Sequence, residues 1–320
     1  MANNWRLFVC GGLLSSLLLT NSCANRTSNN EAVQQGKNKT YKGELNVGCD
    51  AGLEPVIKQE IEVFSYSNDS VAITPVYEGE EALFNDFRSG RVSVMILPRQ
   101  LEQAEKDRFK DRDTIYTREI VIAYDAVALI GSKKFDDSQL DENTLRRYLT
   151  GNAGGTSPKL VFDSKNAGMV KEVLKALGYT GDKAVNVYAL DSTEQVISYV
   201  EDETNAIGFV PFAFVSDTDD DRVKKILHRV KILSLRAKDQ EGKPVAVSAN
   251  QSDIAEGTYP LKRTITAVTR FRYEDNLEWL FVNFMYKERG AKIFLKAGLI
   301  PAKMPVREIN VNTGPIKGGS

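Results

Sequence analysis

Strand-like and helix-like segments alternate along the chain, and this alternation restricts the fold more than any other feature of the sequence. Residues 45–49 alternate apolar and polar side chains, as a half-buried strand does, and a helical pattern follows directly. The same order recurs in residues 71–77 and 80–87, and again in residues 92–97 and 101–109. Alternating strands and helices imply a parallel sheet with right-handed crossovers, so the sequence predicts an α/β fold.

An almost continuously apolar segment, residues 120–130, separates this series from a second one. At about 3.3 Å per residue, a strand of this length would be longer than most sheets use. We therefore expect it to pass between two lobes, and a length of 320 residues fits two lobes of ordinary size. Further strand patterns cover residues 160–163, 185–189, 206–210 and 264–269, and further helix patterns cover 142–149, 170–177, 193–201, 277–285 and 291–296. The stretch 222–252 has mixed strand patterns.

The composition excludes several classes of function. The 42 basic and 43 acidic residues give a formal net charge of −1, whereas nucleic-acid binding relies on clustered Lys and Arg. Three cysteines and one histidine do not suffice for a four-ligand zinc site of the usual kind. The glycine-rich stretch 151–155 lacks the Gly-Lys-Ser/Thr ending of a phosphate-binding P-loop. We therefore predict no cofactor, no metal and no nucleic-acid partner.

Two other patterns resemble functional motifs without completing them. Asp217, Asp219 and Asp221 alternate as in a calcium loop, but Arg222 stands at the sixth position and His228 at the twelfth. A calcium site is therefore not expected. His228 is the only histidine and has no Ser or Cys nearby in the sequence, so we interpret it as a surface residue rather than a catalytic base.

The N-terminal residues have the order of a secretion signal. Residues 7–19 are apolar, follow a short polar start and are too few to span a bilayer, so we predict a signal peptide over residues 1–22. The pair Ser22-Cys23 resembles the processing site of a bacterial lipoprotein, in which Cys23 would become the acylated first residue. Residues 23–42 are polar and would form a flexible tether. Cleavage by an ordinary signal peptidase and a retained anchor are the alternatives.

Three turns follow a strand and begin a helix, at residues 48–52, 79–81 and 164–168. The first backbone N–H groups of a helix lack partners and carry a partial positive charge. Several such turns that converge on one cleft form a natural anion site, although any α/β protein has turns of this kind. These turns are therefore the candidates for a binding site.

The order of several segments gives a more specific indication. These segments are Gly48-Cys49-Asp50-Ala51 and residues 95–102, 122–128, 145–151, 192–196, 205–211, 259–261 and 297–301. Together they resemble the type 2 periplasmic substrate-binding proteins, and within them the phosphate-binding subunits of ABC importers and their lipoprotein relatives. The resemblance implies two α/β lobes, each a mixed sheet flanked by helices, that a hinge joins. Lobe 1 would contain residues 43–124 and 257–311, lobe 2 would be the inserted residues 125–256, and residues 312–320 would be a C-terminal tail.

The resemblance also implies where a ligand binds. In the family, Ser and Thr hydroxyls, backbone amides, an Arg and a carboxylate hold the phosphate, and the carboxylate accepts the proton of the bound anion. The matching positions are Cys49, Asp50, Ala51, Gly79, Glu80, Arg99, Asp125, Asp163, Ser164, Lys165 and Asn166. For Arg99 the alternative is a structural ion pair. For Asp125 and Asp163 the alternative is a capping or hinge role.

Some of these positions depart from the family pattern. Cys49 stands where the first turn usually has Ser, and it is either a reactive thiol or a small half-buried residue. Glu80 and Glu81 follow Gly79 where a small residue is usual. A glutamate at a helix start is a good cap that satisfies the helix dipole, so it would compete with an anion. Lys165 is an added charge in the third turn.

These observations predict a monomeric, extracytoplasmic solute-binding lipoprotein, anchored in the cell envelope through Cys23. It would capture a small oxyanion, with phosphate as the first candidate, for the permease of an ABC importer, and it would catalyse no reaction. One alternative is a binding-protein relative with a changed ligand or a sensory or scaffold role and no phosphate binding. The other is an enzyme on the same fold that uses Cys49 or a pair of carboxylates.

Overall fold

The computed structural model describes residues 41–152, 157–163, 167–179, 186–238, 241–270 and 276–305. The strands in these ranges are β1 Gly43–Asp50, β2 Val71–Glu78, β3 Val94–Leu97, β4 Thr117–Ser132, β5 Lys159–Asp163, β6 Val187–Leu190, β7 Ala206–Pro211, β8 Val230–Ile232, β9 Leu235–Lys238, β10 Pro244–Val247, β11 Lys262–Arg270 and β12 Ile300–Pro301. The helices are α1 Glu54–Ser67, α2 Glu80–Ser89, α3 Gln103–Asp113, α4 Glu142–Leu149, α5 Ala167–Ala176, α6 Thr193–Asp202, α7 Asp221–Arg229, α8 Gln251–Glu256, α9 Leu277–Tyr286 and α10 Glu288–Lys296.

The main sheet has the strand order β2-β1-β3-β11-β4-β7-β5-β6. β1 runs parallel to β2 and β3, and β5 runs parallel to β6 and β7, as the alternation of strands and helices predicts. The central strands differ, because β11 is antiparallel to β3 and β4, and β7 is antiparallel to β4. The sheet is therefore mixed.

The long strand predicted from residues 120–130 is confirmed and extends over the 16 residues of β4. Its first half pairs with β11 and β12, and its second half pairs with β7 and β8. The chain therefore has a two-lobed α/β architecture in which β4 belongs to both lobes. The sheet of lobe 1 contains β1, β2, β3, β11 and β12, and the sheet of lobe 2 contains β5, β6, β7 and β8.

Packing against β1 fixes the position of α2. Leu83 and Phe87 on α2 are fully buried and, with Phe109 of α3, form an apolar cluster on one side of the lobe 1 sheet. Gly48 on β1 permits the close approach, because a Cβ atom at this position would lie 2.9 Å from the Leu83 side chain. The start of α2 is thereby held near the end of β1, which is where the sequence predicts a binding site.

Residues Asp221–Arg229 form the helix α7, whereas the sequence pattern of residues 222–252 predicts strands. Val223 and Ile226 are buried at a helical spacing, and the Asp220 carboxylate caps the helix by accepting a hydrogen bond from the Arg222 N–H at 2.7 Å. Asp220 and Asp221 thus begin a helix, in the stretch whose alternating Asp residues resemble a calcium loop. His228 is exposed on α7, as predicted.

The described ranges contain no helix that is both long enough and apolar enough to cross a bilayer. Within the same ranges, no three His, Cys, Asp or Glu side chains are grouped so as to hold a metal ion. The predicted signal peptide, Cys23 and the tether as far as residue 40 lie outside the described residues, as does the predicted tail from residue 312.

A buried acid on α1 generates a prediction about stability. The Glu60 side chain is fully buried, and neither carboxylate oxygen has a hydrogen-bond partner among the described residues. Burial raises the pKa of Glu60 well above its ordinary value. Since the folded state holds this proton more tightly than the unfolded state, Glu60 makes the free energy of unfolding fall as pH rises above about 4.3.

We expect Glu60→Leu to raise the free energy of unfolding near neutral pH by about 1–3 kcal/mol, because it removes a buried polar group without partners. Urea unfolding over a range of pH measures this change, and the gain should shrink in acid. Glu62→Leu, at an exposed position on the same helix, is the control and should change stability little. A Glu60→Leu protein that is less stable than the wild type would contradict the prediction.

Candidate functional site

The first predicted turn begins at the end of β1. The Asp50 carboxylate is buried and accepts a hydrogen bond from the Gly52 N–H at 2.9 Å, which shapes the short 3-10 turn Ala51–Leu53. Burial raises the pKa of Asp50 to about 7, against the opposing effects of Arg263 and the Gly52 N–H. The Glu80 and Glu172 carboxylates raise it further, so Asp50 belongs to a cluster of charges.

The second predicted turn positions Glu80. β2 ends at Glu78, Gly79 precedes α2, and Glu80 is the first residue of that helix. The Glu80 carboxylate accepts hydrogen bonds from Arg99, with distances of 3.1 Å from Nε to each oxygen and 2.6 Å from Nη2 to Oε2. These are charge-assisted bonds of the strong kind.

Gly168, the last residue of the third predicted turn, lies against Glu80 of the second. Ser164, Lys165 and Asn166 lie outside the described residues, and α5 begins just after them. At Gly168, in the first turn of α5, a Cβ atom would lie 3.3 Å from Glu80 Oε1 and 3.5 Å from Oε2. The Glu80 carboxylate therefore lies flat against a helix start of lobe 2, and glycine permits this close contact.

Arg99 follows β3 and holds two carboxylates at once. Its Nη1 and Nη2 donate to the two oxygens of Glu105, each at 2.8 Å, in addition to the bonds to Glu80. Glu105 also accepts from the Glu102 N–H at 2.8 Å, which completes the capping box at the start of α3. The contacts of Arg99 are those of the structural ion pair that the sequence analysis gives as the alternative to ligand contact.

The surroundings of Arg99 and Glu105 shift the pKa values of these two groups in opposite directions. Burial alone would lower the pKa of Arg99, but the hydrogen bonds to Glu105 and Glu80 raise it above its ordinary value. Burial alone would raise the pKa of Glu105, but the bonds from Arg99 and the Glu102 N–H lower it. The charged forms of both groups are therefore favoured.

Asp125 forms a second buried pair, with Arg263. Asp125 on β4 and Arg263 on β11 are cross-strand partners, and Asp125 Oδ2 accepts from Arg263 Nε at 2.9 Å and Nη2 at 2.7 Å. Asp125 Oδ1 accepts from the Ala213 N–H at 3.1 Å. Asp125 thus joins the two lobes, since Ala213 lies just beyond β7. The geometry matches the hinge role that the sequence analysis gives as the alternative for Asp125.

Glu172 on α5 extends the same cluster. Its Oε2 lies 3.9 Å from Arg263 Nη1 and has no hydrogen-bond partner among the described residues. Burial raises the pKa of Glu172 to about 7, Arg263 opposes the rise, and Glu80 adds to it. Asp50, Glu80, Glu172 and Arg263 therefore surround one place, at which lobe 1 and the start of α5 meet.

Arg263 and Glu172 do not stand among the residues predicted from the sequence. The alternation of side chains along β11 could have indicated Arg263. It lies on the same face as the buried Ile265, where a charge without a partner would be costly. The position of Glu172 gives a similar indication, because it directly precedes the buried Val173 and Leu174 on α5. Neither signal identifies the partner of the charge.

The other predicted residues lie apart from this cluster. Cys49 is fully buried in the lobe 1 core, and its Sγ–H donates to the Asp50 carbonyl oxygen at 3.3 Å. Burial, with Asp50 and Glu54 nearby, raises the pKa of Cys49 well above its ordinary value, which opposes the thiolate that a nucleophile requires. Asp163 is buried at the end of β5, and its Oδ2 accepts from the Thr193 hydroxyl at 2.8 Å.

Two cavities adjoin the cluster. The larger has a volume of about 840 Å³, and its lining residues are Gly79, Glu80, Glu81, Ala82, Phe84, Asn85, Arg88, Arg99, Glu105, Arg108, Phe109 and Gly168. The smaller lies beside Glu172 and Arg263 and measures about 20 Å³, which is room for roughly one water molecule. Among the described residues, the larger cavity lies outside Glu80, along α2.

Comparison with known proteins defines the class of this chain. The model of the PBP superfamily domain matches residues 31–289, so the chain belongs to that superfamily. The predicted resemblance to substrate-binding proteins is thereby confirmed. A phosphate-binding protein named PstS, from Borreliella burgdorferi, is 21% identical over 282 residues, which are 83% of this chain and 93% of the relative.

Solved structures share the fold. A phosphate ABC transporter substrate-binding protein from Clostridium perfringens, solved with bound phosphate, is 22% identical with a TM-score of 0.64, and the match covers 82% of this chain and all of that one. An ABC-type phosphate transport receptor from Vibrio cholerae is 15% identical with a TM-score of 0.59, and the match covers 80% of this chain and 99% of that one. The two-lobed architecture is therefore that of periplasmic binding proteins.

The raised pKa values of Asp50 and Glu172 predict that the protein loses stability as pH rises. Each group binds its proton more tightly in the folded state, so its stabilising effect is complete below about pH 4 and is lost as pH rises through about 7. Asp50→Asn keeps an oxygen acceptor for the Gly52 N–H but cannot ionise. We therefore expect Asp50→Asn and Glu172→Gln each to flatten the decline in unfolding free energy.

Urea unfolding at a series of pH values measures this decline. Glu81→Gln removes an exposed carboxylate next to the cluster and serves as the control, which should follow the wild-type profile. If Asp50→Asn and Glu172→Gln also follow the wild-type profile, the assigned pKa shifts are wrong.

Proposed function

We propose that this chain is an extracytoplasmic solute-binding protein that captures a small oxyanion, phosphate first, between its lobes for delivery to an ABC importer. Its membership of the PBP superfamily supports a binding function. The Borreliella burgdorferi and Clostridium perfringens proteins, whose names refer to phosphate, support that ligand class. Closure of the lobes over the anion would give the permease the state that it recognises.

One observation carries the proposal. The starts of α2 and α5 meet, and the oxyanion bound there is a carboxylate of the protein itself, that of Glu80, with Arg99 as its donor and Gly168 beneath it. A guanidinium and two helix starts are the groups that bind phosphate in proteins generally. The place therefore has the chemistry of an anion site.

The other predicted residues are assigned to positions in or beside the same cleft. We assign Asp50, Ala51, Gly79, Glu80 and Arg99 to the walls of the cleft, with Ser164, Lys165 and Asn166 as its lobe 2 side. Asp125 is assigned to the hinge, because both of its oxygens already accept hydrogen bonds from Ala213 and Arg263. Cys49 and Asp163 would support the first and third turns from behind, which their burial favours. The change of strand partners along β4, between Ala126 and Val127, supports lobes of residues 43–124 with 257–311, and 125–256.

The location in the cell envelope rests on the N-terminal sequence. An apolar run that ends at Ser22-Cys23 supports a signal peptide with acylation of Cys23, which would hold a monomeric protein at the membrane beside its permease. A binding-protein family and the raised pKa of the Cys49 thiol support a protein that carries out no catalysis.

The large cavity favours a second candidate function, the binding of a larger organic ligand. A volume of about 840 Å³ is in the range that drug-sized ligands fill, and it exceeds the needs of a single phosphate. Phe84 supplies an aromatic surface there, and Arg88 and Arg108 supply positive charges. An organic phosphate with an apolar portion would match these groups.

Isothermal titration of the purified, ligand-stripped protein with phosphate, sulfate and organic phosphates tests the proposal. We expect phosphate to bind, and we expect Arg99→Ala to weaken binding by about 1.5–3 kcal/mol through loss of a charged donor. Arg289→Ala is the control, because Arg289 is exposed on α10 and is not among the residues that line the cavity.

The possible outcomes separate the candidates. Heat from organic phosphates alone favours the larger ligand. No heat from any anion at millimolar concentrations would retire the transport function. Unchanged affinity in Arg99→Ala, or an equal loss in Arg99→Ala and Arg289→Ala, would remove Arg99 from the site.

A further inference from the structure

The Glu80 carboxylate occupies the place at which the proposed function requires an anion. It lies between the Arg99 guanidinium of lobe 1 and Gly168 at the start of α5 in lobe 2. From this geometry we infer that Glu80 is a resident anion, which competes with external oxyanions and holds the cleft closed in the absence of ligand. The inference rests on the proposed function and names the residue that sets its affinity and specificity.

The hydrogen bonds of Arg99 make the competition direct. A guanidinium has five N–H groups. Nε donates to both oxygens of Glu80, Nη1 donates to the Gln100 carbonyl oxygen and to Glu105, and Nη2 donates to Glu80 and to Glu105. No N–H of Arg99 remains for a ligand. An external anion must therefore displace a carboxylate, and of the two, Glu80 is the one in contact with Gly168 of lobe 2.

Charged groups around Glu80 connect the two lobes. From α5, Lys171 pairs with Glu102 at 2.9 Å, and Glu172 lies 3.9 Å from Arg263. Glu102 caps α3 and Arg263 lies on β11, so both partners belong to lobe 1. Together with the contact of Glu80 with Gly168, these two ion pairs connect α5 of lobe 2 to lobe 1. In periplasmic binding proteins, the bound ligand makes contacts that close the two lobes.

The same charges oppose a free anion. Asp50, Glu80 and Glu172 surround the place, and like charges brought together at short distance cost free energy. Loss of the Glu80 charge removes one of these repulsions and frees N–H groups of Arg99. The large cavity beside α2 is lined in part by Glu80, so the side chain has space into which it can move when an anion replaces it.

Two substitutions separate charge from volume. Glu80→Gln keeps the size of the side chain and removes its charge, whereas Glu80→Ala removes both and empties the place. Titration with inorganic phosphate should give affinities that increase from wild type to Glu80→Gln to Glu80→Ala, with Glu80→Ala at least about tenfold tighter than wild type. Glu288→Gln, an equal change of charge at the exposed first residue of α10, which does not line the cavity, should bind as the wild type does.

Thermal unfolding gives a second readout. Glu80→Ala should have a lower melting temperature than wild type in anion-free buffer, because Arg99 loses a partner that joins the lobes. Phosphate or acetate at millimolar concentration should raise the melting temperature more in Glu80→Ala than in Glu288→Gln. If Glu80→Ala does not fold, the titration of Glu80→Gln, whose neutral side chain fills the same space, decides the question.

The failures of the two proposals are distinguishable. If wild type and both Glu80 variants bind phosphate equally, Glu80 is not a competitor and the inference is overturned, while the binding function stands. If neither wild type nor any variant binds an oxyanion, the inference is overturned together with the proposed function. If only the Glu80 variants bind, the inference holds, and phosphate is not the ligand of the natural chain.

Discussion

The Arg99 guanidinium is the contact on which the arrangement of the cleft depends. It joins the end of β3 to Glu80 at the start of α2 and to Glu105 at the start of α3, with contacts as short as 2.6 Å. Because Arg99 and Glu80 are largely shielded from water, their attraction is stronger than that of an exposed pair. The position of the Glu80 carboxylate against Gly168 follows from this contact.

The deeper part of the cleft depends on a second contact of the same kind. Asp125 and Arg263 are almost fully buried, and a buried ion pair is costly to break because each charge would remain unpaired. Arg263 lies near both Glu172 and Asp50 and opposes the rise in their pKa values that burial causes. The cleft therefore contains more carboxylates than guanidiniums. Its affinity for an external anion depends on which carboxylate that anion can displace.

Sequence reasoning identifies the elements of the fold because their signals are local. The alternation in β1, the apolar length of β4 and the turn before Glu80 are each visible within about ten residues. The partner of a charged residue is not local, since Asp125 and Arg263 are 138 positions apart. The sequence therefore indicates that Glu80 opposes an anion, but it leaves open whether Arg99 binds a ligand or a carboxylate. Helix α7 is missed because Val223 and Ile226 are its only fully buried apolar residues and charges surround them.

A crystal structure of the ligand-stripped protein, grown without phosphate or sulfate, tests the central claim most directly. We expect a closed cleft in which the Glu80 carboxylate remains bound to Arg99 and in contact with Gly168. Lobes that stand apart, with Arg99 facing solvent and Glu80 away from α5, would contradict the claim that a carboxylate of the chain itself fills the place of the anion.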